Sequence, residues 1–365
     1  MLSINITSYE IKLYAVIALI VILGSATHWA YYYPDSICYT ETLRYMFSQG
    51  QMNRSVCVEQ HISRPVTLFL AGAITPLFGI YNSFAIVNTI FWFLGAVFLH
   101  KFALQFFKSE KLAFYSSVLF ATSIPLLRYG AALLTDCGGY FFTILSAYMV
   151  LKFRDNTSLK RMVLLAFIFA AGILTKNHLG FFVPMYLILS TFSERKVFYR
   201  SILTLFISLM FVMGVYAFFN ADTFNLYTGA AGRGYTYDNP ETWGIERFVL
   251  SFGGFLYLPF FTILGFLADK KKDRIMNYYY MLASFLPLFA WPAIEYRITF
   301  IMFPLIIPLA TLGIENFSSV LCKKPLFNKL KQKHYEILII ALYIILSFAY
   351  VALYHSSEKY TRYLT

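Results

Sequence analysis

Charged residues are scarce in this sequence. Only 13% of its 365 residues are Asp, Glu, Lys or Arg, whereas 59% are hydrophobic and 20% are aromatic. A soluble domain of this size carries about 25% charged residues, and no long polar stretch is present to hold one. We therefore expect a single transmembrane domain over residues 1–365, with no soluble C-terminal domain.

Long apolar runs account for the missing charge. Residues 13–30, 84–99, 202–219 and 337–354 are nearly uncharged. Each run approaches the roughly 20 residues that an α-helix needs to cross a ~30 Å hydrocarbon core. The chain is therefore predicted to be an all-α polytopic membrane protein.

Acidic residues are scarcer than basic ones. The chain has 18 Asp and Glu against 30 Lys and Arg, which gives a formal net charge of +12. The basic residues cluster in short links between apolar runs, near 101–111, 152–161, 195–200, 270–274 and 323–333. Short cytoplasmic loops of membrane proteins carry such an excess. Membrane orientation thus explains the charge, and we expect membrane lipids as partners and no nucleic acid.

The first apolar run is predicted to be a retained span with a cytoplasmic N-terminus. Little positive charge precedes it, and no small-residue cleavage site follows it, so it does not fit a signal peptide. With the basic links inside, the pattern predicts about eleven transmembrane helices. They are expected near residues 12–30, 83–103, 112–128, 136–152, 161–175, 178–192, 201–219, 247–267, 276–293, 298–314 and 336–354.

This topology leaves two large external loops, residues 31–82 and 220–246. The apolar segment 65–79 of the first loop is short for a span and contains Pro76. Such a segment is more typical of an interfacial or re-entrant helix. A twelfth span, with the upstream orientation inverted, is the alternative.

Several charged residues gather at the predicted external face. Charges near membrane segments are usually functional or paired. Transfer of a sugar from a polyprenyl phosphate needs a carboxylate to take the proton of the acceptor hydroxyl, and cations to stabilise the departing phosphate. We predict two catalytic carboxylates and four donor-phosphate contacts, which are Asp35, Asp136, Arg64, Arg297, Lys176 and Arg128.

Each candidate also has a structural interpretation. Asp35 follows a proline and fits a turn or a helix cap. Asp136 fits the cap of the next helix, with Thr135 as a rival for that position. The basic residues fit interfacial anchors that contact lipid phosphates.

Five stretches, taken in order, resemble the GT-C superfamily of membrane glycosyltransferases, particularly protein O-mannosyltransferases and lipid A aminoarabinose transferases. The segment from Asp35 to Met46 is similar to the family's acidic motif and first juxtamembrane helix, and Arg64-Pro65 opens a likeness to the second. The other three begin near Ser123, at Leu174-Thr175-Lys176 and at Tyr296-Arg297. The likeness extends over roughly residues 10–315.

The resemblance implies a GT-C-like bundle with juxtamembrane helices in the first external loop. It implies Asp35 as catalytic base, Asp136 as a second carboxylate, and Arg64 and Arg297 as contacts to the donor phosphate. Many relatives have a second acidic residue beside the first, whereas Ser36 and Ile37 follow Asp35 here. A divalent ion binds through several oxygen ligands, so we expect no cofactor; a divalent metal is the alternative.

Cysteine is also rare, with four residues in the chain. Cys38 and Cys57 both lie in the first external loop, where an oxidising exterior permits a disulfide. Two free thiols are the alternative. No Cys/His spacing resembles a metal-ligand set.

These features together predict an inverting glycosyltransferase of a bacterial inner or plasma membrane, with its site on the outer face. The donor is expected to be a polyprenyl-phosphate sugar, and the acceptor a glycolipid or lipid-linked glycan. A polysaccharide polymerase, which shares this chemistry, is the enzymatic alternative. A transporter or flippase of lipid-linked oligosaccharide is the alternative of a different class, but it would place charges at the midplane of broken helices.

Overall fold

Helices form the regular structure throughout the described part of the chain. The computed structural model describes residues 8–27, 29, 34–47, 55–153, 158–177, 179–180, 195–219, 253–271, 274, 278, 282, 302–325, 327 and 330–362. In chain order the helices are α1 (Ser8–Thr27), α2 (Pro34–Phe47), α3 (Val56–His61), α4 (Pro65–Phe107), α5 (Glu110–Ala121), α6 (Ile124–Tyr129), α7 (Asp136–Phe153), α8 (Leu159–Ile173), α9 (Arg195–Phe218), α10 (Leu258–Ala268), α11 (Phe303–Cys322) and α12 (Gln332–Arg362). The predicted all-α polytopic fold is confirmed.

Among the described residues, four stretches of helix are long and apolar enough to cross a membrane. They are Pro65–Phe107, Phe198–Phe218, Phe303–Cys322 and Gln332–Leu353. Most of the other predicted spans also coincide with helices. The predicted spans at 178–192 and 276–293, and the external loop at 220–246, lie wholly or almost wholly outside the described residues.

One predicted span is interrupted. The apolar segment 112–128 was expected to form a single helix, but it is divided into α5 and α6, with Thr122 and Ser123 between them. The cause is Pro125 in the first turn of α6. Proline has no N–H to donate to the carbonyl oxygen four residues earlier. Here that oxygen belongs to Ala121, and it accepts from Trp92 Nε1 at 3.2 Å instead.

A kink divides α4 into two parts at Gly79. Gly79 has φ 72° and ψ 163°, a backbone conformation that costs glycine little and other residues much. Ser83 donates to the Gly79 carbonyl oxygen at 2.7 Å, and Asn82 donates to the Phe78 carbonyl oxygen at 3.2 Å. These side chains satisfy carbonyls at the kink. The segment predicted to be interfacial is thus set off from the predicted span 83–103, while its position at the membrane surface stays a prediction.

The core is rich in aromatic side chains that join α4, α7 and α11. Phe91 of α4 stacks on Phe141 of α7 with ring centroids 5.2 Å apart, and Phe303 of α11 makes an edge contact with Tyr140 at 5.2 Å. Gln105 near the end of α4 donates to the carbonyl oxygen of Leu151 near the end of α7. At the start of α7, Cys137 Sγ donates to the carbonyl oxygen of Asn88, which lies earlier in α4, at 3.1 Å. The two helices therefore run antiparallel.

A polar cluster holds α5, α11 and α12 together at the far end of this bundle. Lys111 lies 2.6 Å from Glu315 and 3.0 Å from Glu336, whose side chain is 1% exposed. Tyr115 and Gln332 also donate to Glu336. The start of α7 lies beside Asn88 in the middle of α4, whereas α5 begins only after α4 has ended at Phe107. The polar cluster is therefore remote from the start of α7.

Candidate active site

The centre of the candidate site is a buried ion pair at the start of α7. The Lys176 Nζ donates to Asp136 Oδ1 at 2.8 Å, and the two side chains are 7% and 1% exposed. Gly139 donates its backbone N–H to the Thr135 carbonyl oxygen at 3.2 Å, so Thr135 caps the helix and Asp136 follows it. A carboxylate in this first turn also interacts favourably with the helix dipole. Two predicted site residues are therefore partners.

Lys176 stands on a tight turn that ends α8. The backbone N–H groups of Thr175 and Lys176 both donate to the Gly172 carbonyl oxygen, at 3.0 and 2.9 Å. The start of α4 rests on this turn, because the Val66 N–H donates to the Leu174 carbonyl oxygen at 3.3 Å. The first N–H groups of a helix have no partner within it. The turn supplies one, and it thereby places the entry of α4 beside the ion pair.

Gly138 allows α7 to approach this turn closely. A Cβ atom at Gly138 would lie 2.6 Å from Thr175 Cγ2 and 3.1 Å from Thr67 Oγ1. Real Cβ atoms do not approach other heavy atoms as closely as the first of these distances. Glycine at this position is therefore what lets the backbone of α7 bring Asp136 to Lys176.

Helix α2 packs over the loop that precedes α7. Ser36 Oγ donates to the Leu133 carbonyl oxygen at 3.0 Å, and the Tyr39 hydroxyl lies 3.0 Å from Thr135 Oγ1. Asp35 stands one turn before Tyr39, and residues four apart lie on the same face of a helix. The partly exposed side chain of Asp35 is thus carried on the face of α2 that meets the start of α7.

Arg64 completes the group. This residue directly precedes α4, and its Nη1 donates to the Tyr39 hydroxyl oxygen at 3.0 Å. Hydrogen bonds thus bring three of the six predicted site residues together around the start of α7, although they come from three separate segments of the chain. They are Arg64, Asp136 and Lys176. Asp35 lies on the helix that packs there, one turn before Tyr39.

The loop before α7 depends on a residue that sequence reasoning missed. Asn88 is fully buried in α4, and its Nδ2 donates to the carbonyl oxygens of Ala132 and Leu134, at 2.7 and 2.8 Å. These two bonds satisfy backbone carbonyls in a segment that forms neither helix nor sheet. The signal was present in the sequence, because Asn88 is a lone amide within the apolar run 84–99.

The other two predicted phosphate contacts are Arg128 and Arg297. Arg128 is buried on α6, and its guanidinium lies over the Tyr129 ring, 5.2 Å from the ring centroid. Helix α6 packs chiefly against α1 and α12. Arg297 lies outside the described residues. Their roles as phosphate contacts stay predictions.

Potential metal ligands and cysteines are the remaining candidates in the described part of the chain. Within this part of the chain, no group of three or more His, Cys, Asp or Glu side chains is placed to hold a metal ion. Cys38 is disulfide-bonded, whereas Cys137 and Cys322 are free thiols. Of the two alternatives for Cys38, a disulfide or a free thiol, the structure has the disulfide. The side chain of Cys57 is not among the described side chains.

Known proteins share this arrangement of helices. Residues 63–218 match the family model described as dolichyl-phosphate-mannose-protein mannosyltransferase. ArnT from Cupriavidus metallidurans, solved bound to undecaprenyl phosphate, matches 95% of this chain and 72% of its own, with a TM-score of 0.60 and 15% identity. The chain has a GT-C fold. The resemblance seen in the sequence is thereby confirmed at the level of the fold.

The GT-C fold is also shared with an archaeal protein. The oligosaccharyltransferase from Archaeoglobus fulgidus, solved with a tethered acceptor peptide, has a TM-score of 0.60 and 12% identity. The match covers 94% of this chain and 55% of that one, so the chain spans about half the length of that relative. No curated protein sequence matches the chain. The segment that matches the family model contains Arg64, Arg128, Asp136 and Lys176.

Proposed function

We propose that this protein is an inverting glycosyltransferase, which moves a sugar from a polyprenyl phosphate to a lipid-linked glycan or glycolipid. The observation that carries the proposal is the meeting of two cations and a carboxylate, Arg64, Lys176 and Asp136, around the start of one helix. The second carboxylate, Asp35, lies on the helix that packs against that start. Charged side chains are costly near membrane segments. The proposed reaction uses both signs, a carboxylate for the proton of the acceptor and cations for the phosphate.

The reaction proposed is a single displacement at the anomeric carbon of the donor. Asp35 takes the proton of the acceptor hydroxyl as its oxygen attacks that carbon. The bond from the carbon to the phosphate oxygen breaks, and the polyprenyl phosphate leaves with the electron pair. Arg64 stabilises the negative charge that develops on the phosphate. Attack opposite to the leaving group inverts the configuration of the sugar.

The two carboxylates are assigned different roles because their surroundings differ. Asp136 is 1% exposed and gives one oxygen to Lys176, so it holds the site together and orients Lys176. Asp35 is partly exposed and is the carboxylate that an acceptor is able to reach. Arg128 and Arg297 are proposed as additional phosphate contacts.

We place the reaction at the outer face of the membrane and the N-terminus in the cytoplasm. The support is the bias of the basic links, one of which reaches Lys111 at the far end of α4 from the site. Short cytoplasmic loops carry such positive charge. A donor lipid that lies in the bilayer would then present its phosphate to the site at the membrane interface.

The test is transfer of labelled sugar in nanodiscs, from a panel of polyprenyl-phosphate sugars. Asp35→Asn is expected to lose turnover while it folds normally, whereas Glu59→Gln serves as a control because Glu59 is an exposed acidic residue of the same external loop. Full activity of Asp35→Asn would contradict the assignment of the base. If no donor supports transfer but lipid-linked sugar crosses the membrane, the transporter alternative replaces the enzyme.

A further inference from the structure

We propose that Tyr39 is a positioning residue that holds the Arg64 guanidinium in register with the start of α7, and thereby sets the affinity of the site for the phosphate of a polyprenyl lipid. This inference rests on the proposed function. Tyr39 was not among the predicted site residues, and the proposed mechanism gives it no role.

The direction of the hydrogen bonds supports this role. Arg64 Nη1 lies 3.0 Å from the Tyr39 hydroxyl, and that hydroxyl lies 3.0 Å from Thr135 Oγ1. A guanidinium only donates, so the Tyr39 oxygen accepts from Arg64. Tyr39 and Thr135 each have a hydroxyl in the second bond, and either of them is able to donate. A continuous chain of hydrogen bonds therefore runs from Arg64 through Tyr39 to Thr135.

This chain joins three separate elements at one atom. Tyr39 belongs to α2, Arg64 immediately precedes α4, and Thr135 caps the helix that begins at Asp136. Tyr39 is 1% exposed, so water does not readily replace these bonds. The hydroxyl is thus the link between the cation assigned to the phosphate and the backbone that carries the buried ion pair.

Positioning matters here because a free arginine side chain has many rotamers. Ordering such a side chain on binding costs conformational entropy. A guanidinium has five N–H donors in a fixed fork, and the bond to Tyr39 uses one of them to fix the plane of the fork. An arginine held in advance loses less freedom when a phosphate arrives, which increases affinity.

The variant Tyr39→Phe separates this role from packing. The Tyr39 ring packs edge-on against His61, with ring centroids 4.4 Å apart, and phenylalanine retains that contact. Ser36→Ala is the matched control, because it also removes a hydrogen bond between α2 and the same loop but not one to Arg64. Thr135→Val removes the bond between Thr135 and Tyr39, at the other end of this chain of hydrogen bonds.

The experiment measures the binding of undecaprenyl phosphate to the full-length chain in detergent, without turnover. Tyr39→Phe is expected to weaken binding by about tenfold, since hydrogen bonds to charged groups contribute more than neutral ones. In an Arg64→Ala background the same change is expected to have an effect of less than about twofold, because the two residues act as a unit. Thr135→Val is expected to show the same dependence on Arg64 with a smaller effect.

The outcomes separate the two proposals. If Tyr39→Phe weakens binding equally with and without Arg64, or no more than Ser36→Ala does, the positioning role is refuted while the proposed function stands. If the wild-type chain does not bind undecaprenyl phosphate, both proposals are refuted. If Tyr39→Phe does not fold, Thr135→Val with and without Arg64 decides the question on the same criterion.

Discussion

The buried ion pair gives the sharpest prediction for stability. Replacing Lys176 with methionine keeps much of the volume of the side chain but leaves the Asp136 carboxylate without the cation that lies 2.8 Å away. Because the two side chains are 7% and 1% exposed, water compensates little for the loss. Breaking a buried ion pair by removing one partner costs about 3–5 kcal/mol. We expect Lys176→Met to lower the free energy of unfolding by that amount.

A double-mutant cycle shows whether this loss comes from the pair. Asp136→Asn is expected to destabilise by a similar mechanism, because it leaves the Lys176 ammonium without its counter-charge. The double variant should then cost about 1–3 kcal/mol less than the sum of the two single variants. The measurement is chemical unfolding in mixed micelles, and Lys160→Met is the control because Lys160 is exposed on α8.

Two results would refute this reasoning. If Lys176→Met changes the free energy of unfolding by less than about 0.5 kcal/mol, as substitutions of exposed residues do, then the pair is not a buried one. If the two substitutions are strictly additive, each side chain acts through contacts other than their mutual bond. The control should stay within about 0.5 kcal/mol of the wild type in either case.

Four further predictions address the surroundings of the site. Gly138→Ala should reduce turnover even where the variant still folds. The new Cβ would lie 2.6 Å from Thr175 Cγ2 and would push Asp136 away from Lys176. Asn88→Ala should destabilise the protein by about 2 kcal/mol, because two backbone carbonyls lose their buried donor. Transfer should continue in excess chelator, since Lys176 already binds Asp136. Without reductant, Cys38 should resist thiol labelling, because it is disulfide-bonded, and Cys57 is predicted to be protected with it.

These predictions have direct controls. Gly180→Ala is the comparison for Gly138→Ala, because a Cβ at Gly180 meets nothing within 4 Å; equal turnover in the two variants would remove the close-approach argument. Normal unfolding of Asn88→Ala would show that the loop is held by other contacts. Loss of transfer with chelator, restored by a divalent cation, would overturn the metal-independent mechanism. Labelling of Cys38 at the rate of the free thiol Cys322 would exclude the disulfide.

The fold was largely predictable because membrane helices follow from local composition. The run of apolar residues from 84 to 99 predicts a helix wherever its neighbours lie. The interruption between α5 and α6 depends on Pro125, a local signal that was outweighed by the apolar character of 112–128. A proline alone does not locate such a break, however, because Pro308 lies inside α11 without ending it.

The candidate site was predictable in composition but not in connectivity. Asp136 and Lys176 were both selected from sequence, one as a carboxylate and the other as a phosphate contact. Their pairing spans 40 positions and depends on the rotation of α7 and on the turn after α8. Tyr39 was harder to identify, since an aromatic residue near a membrane surface is usually an interfacial anchor. Its spacing of four from Asp35 places both on one helical face and was the signal available.

In the proposed mechanism, the contrast between the two carboxylates gives each of them a separate role. A base must approach the acceptor hydroxyl to within hydrogen-bond distance, and a side chain that is 1% exposed and paired with Lys176 is not free to do so. Asp136 instead holds the turn after α8 against α7, which also fixes the entry of α4 through the Val66 N–H. Arg64 stands at that entry. The buried carboxylate therefore sets the position of the cation, while Asp35 on α2 is left accessible for the acceptor, so loss of Asp136 should impair donor binding and loss of Asp35 should impair the chemical step.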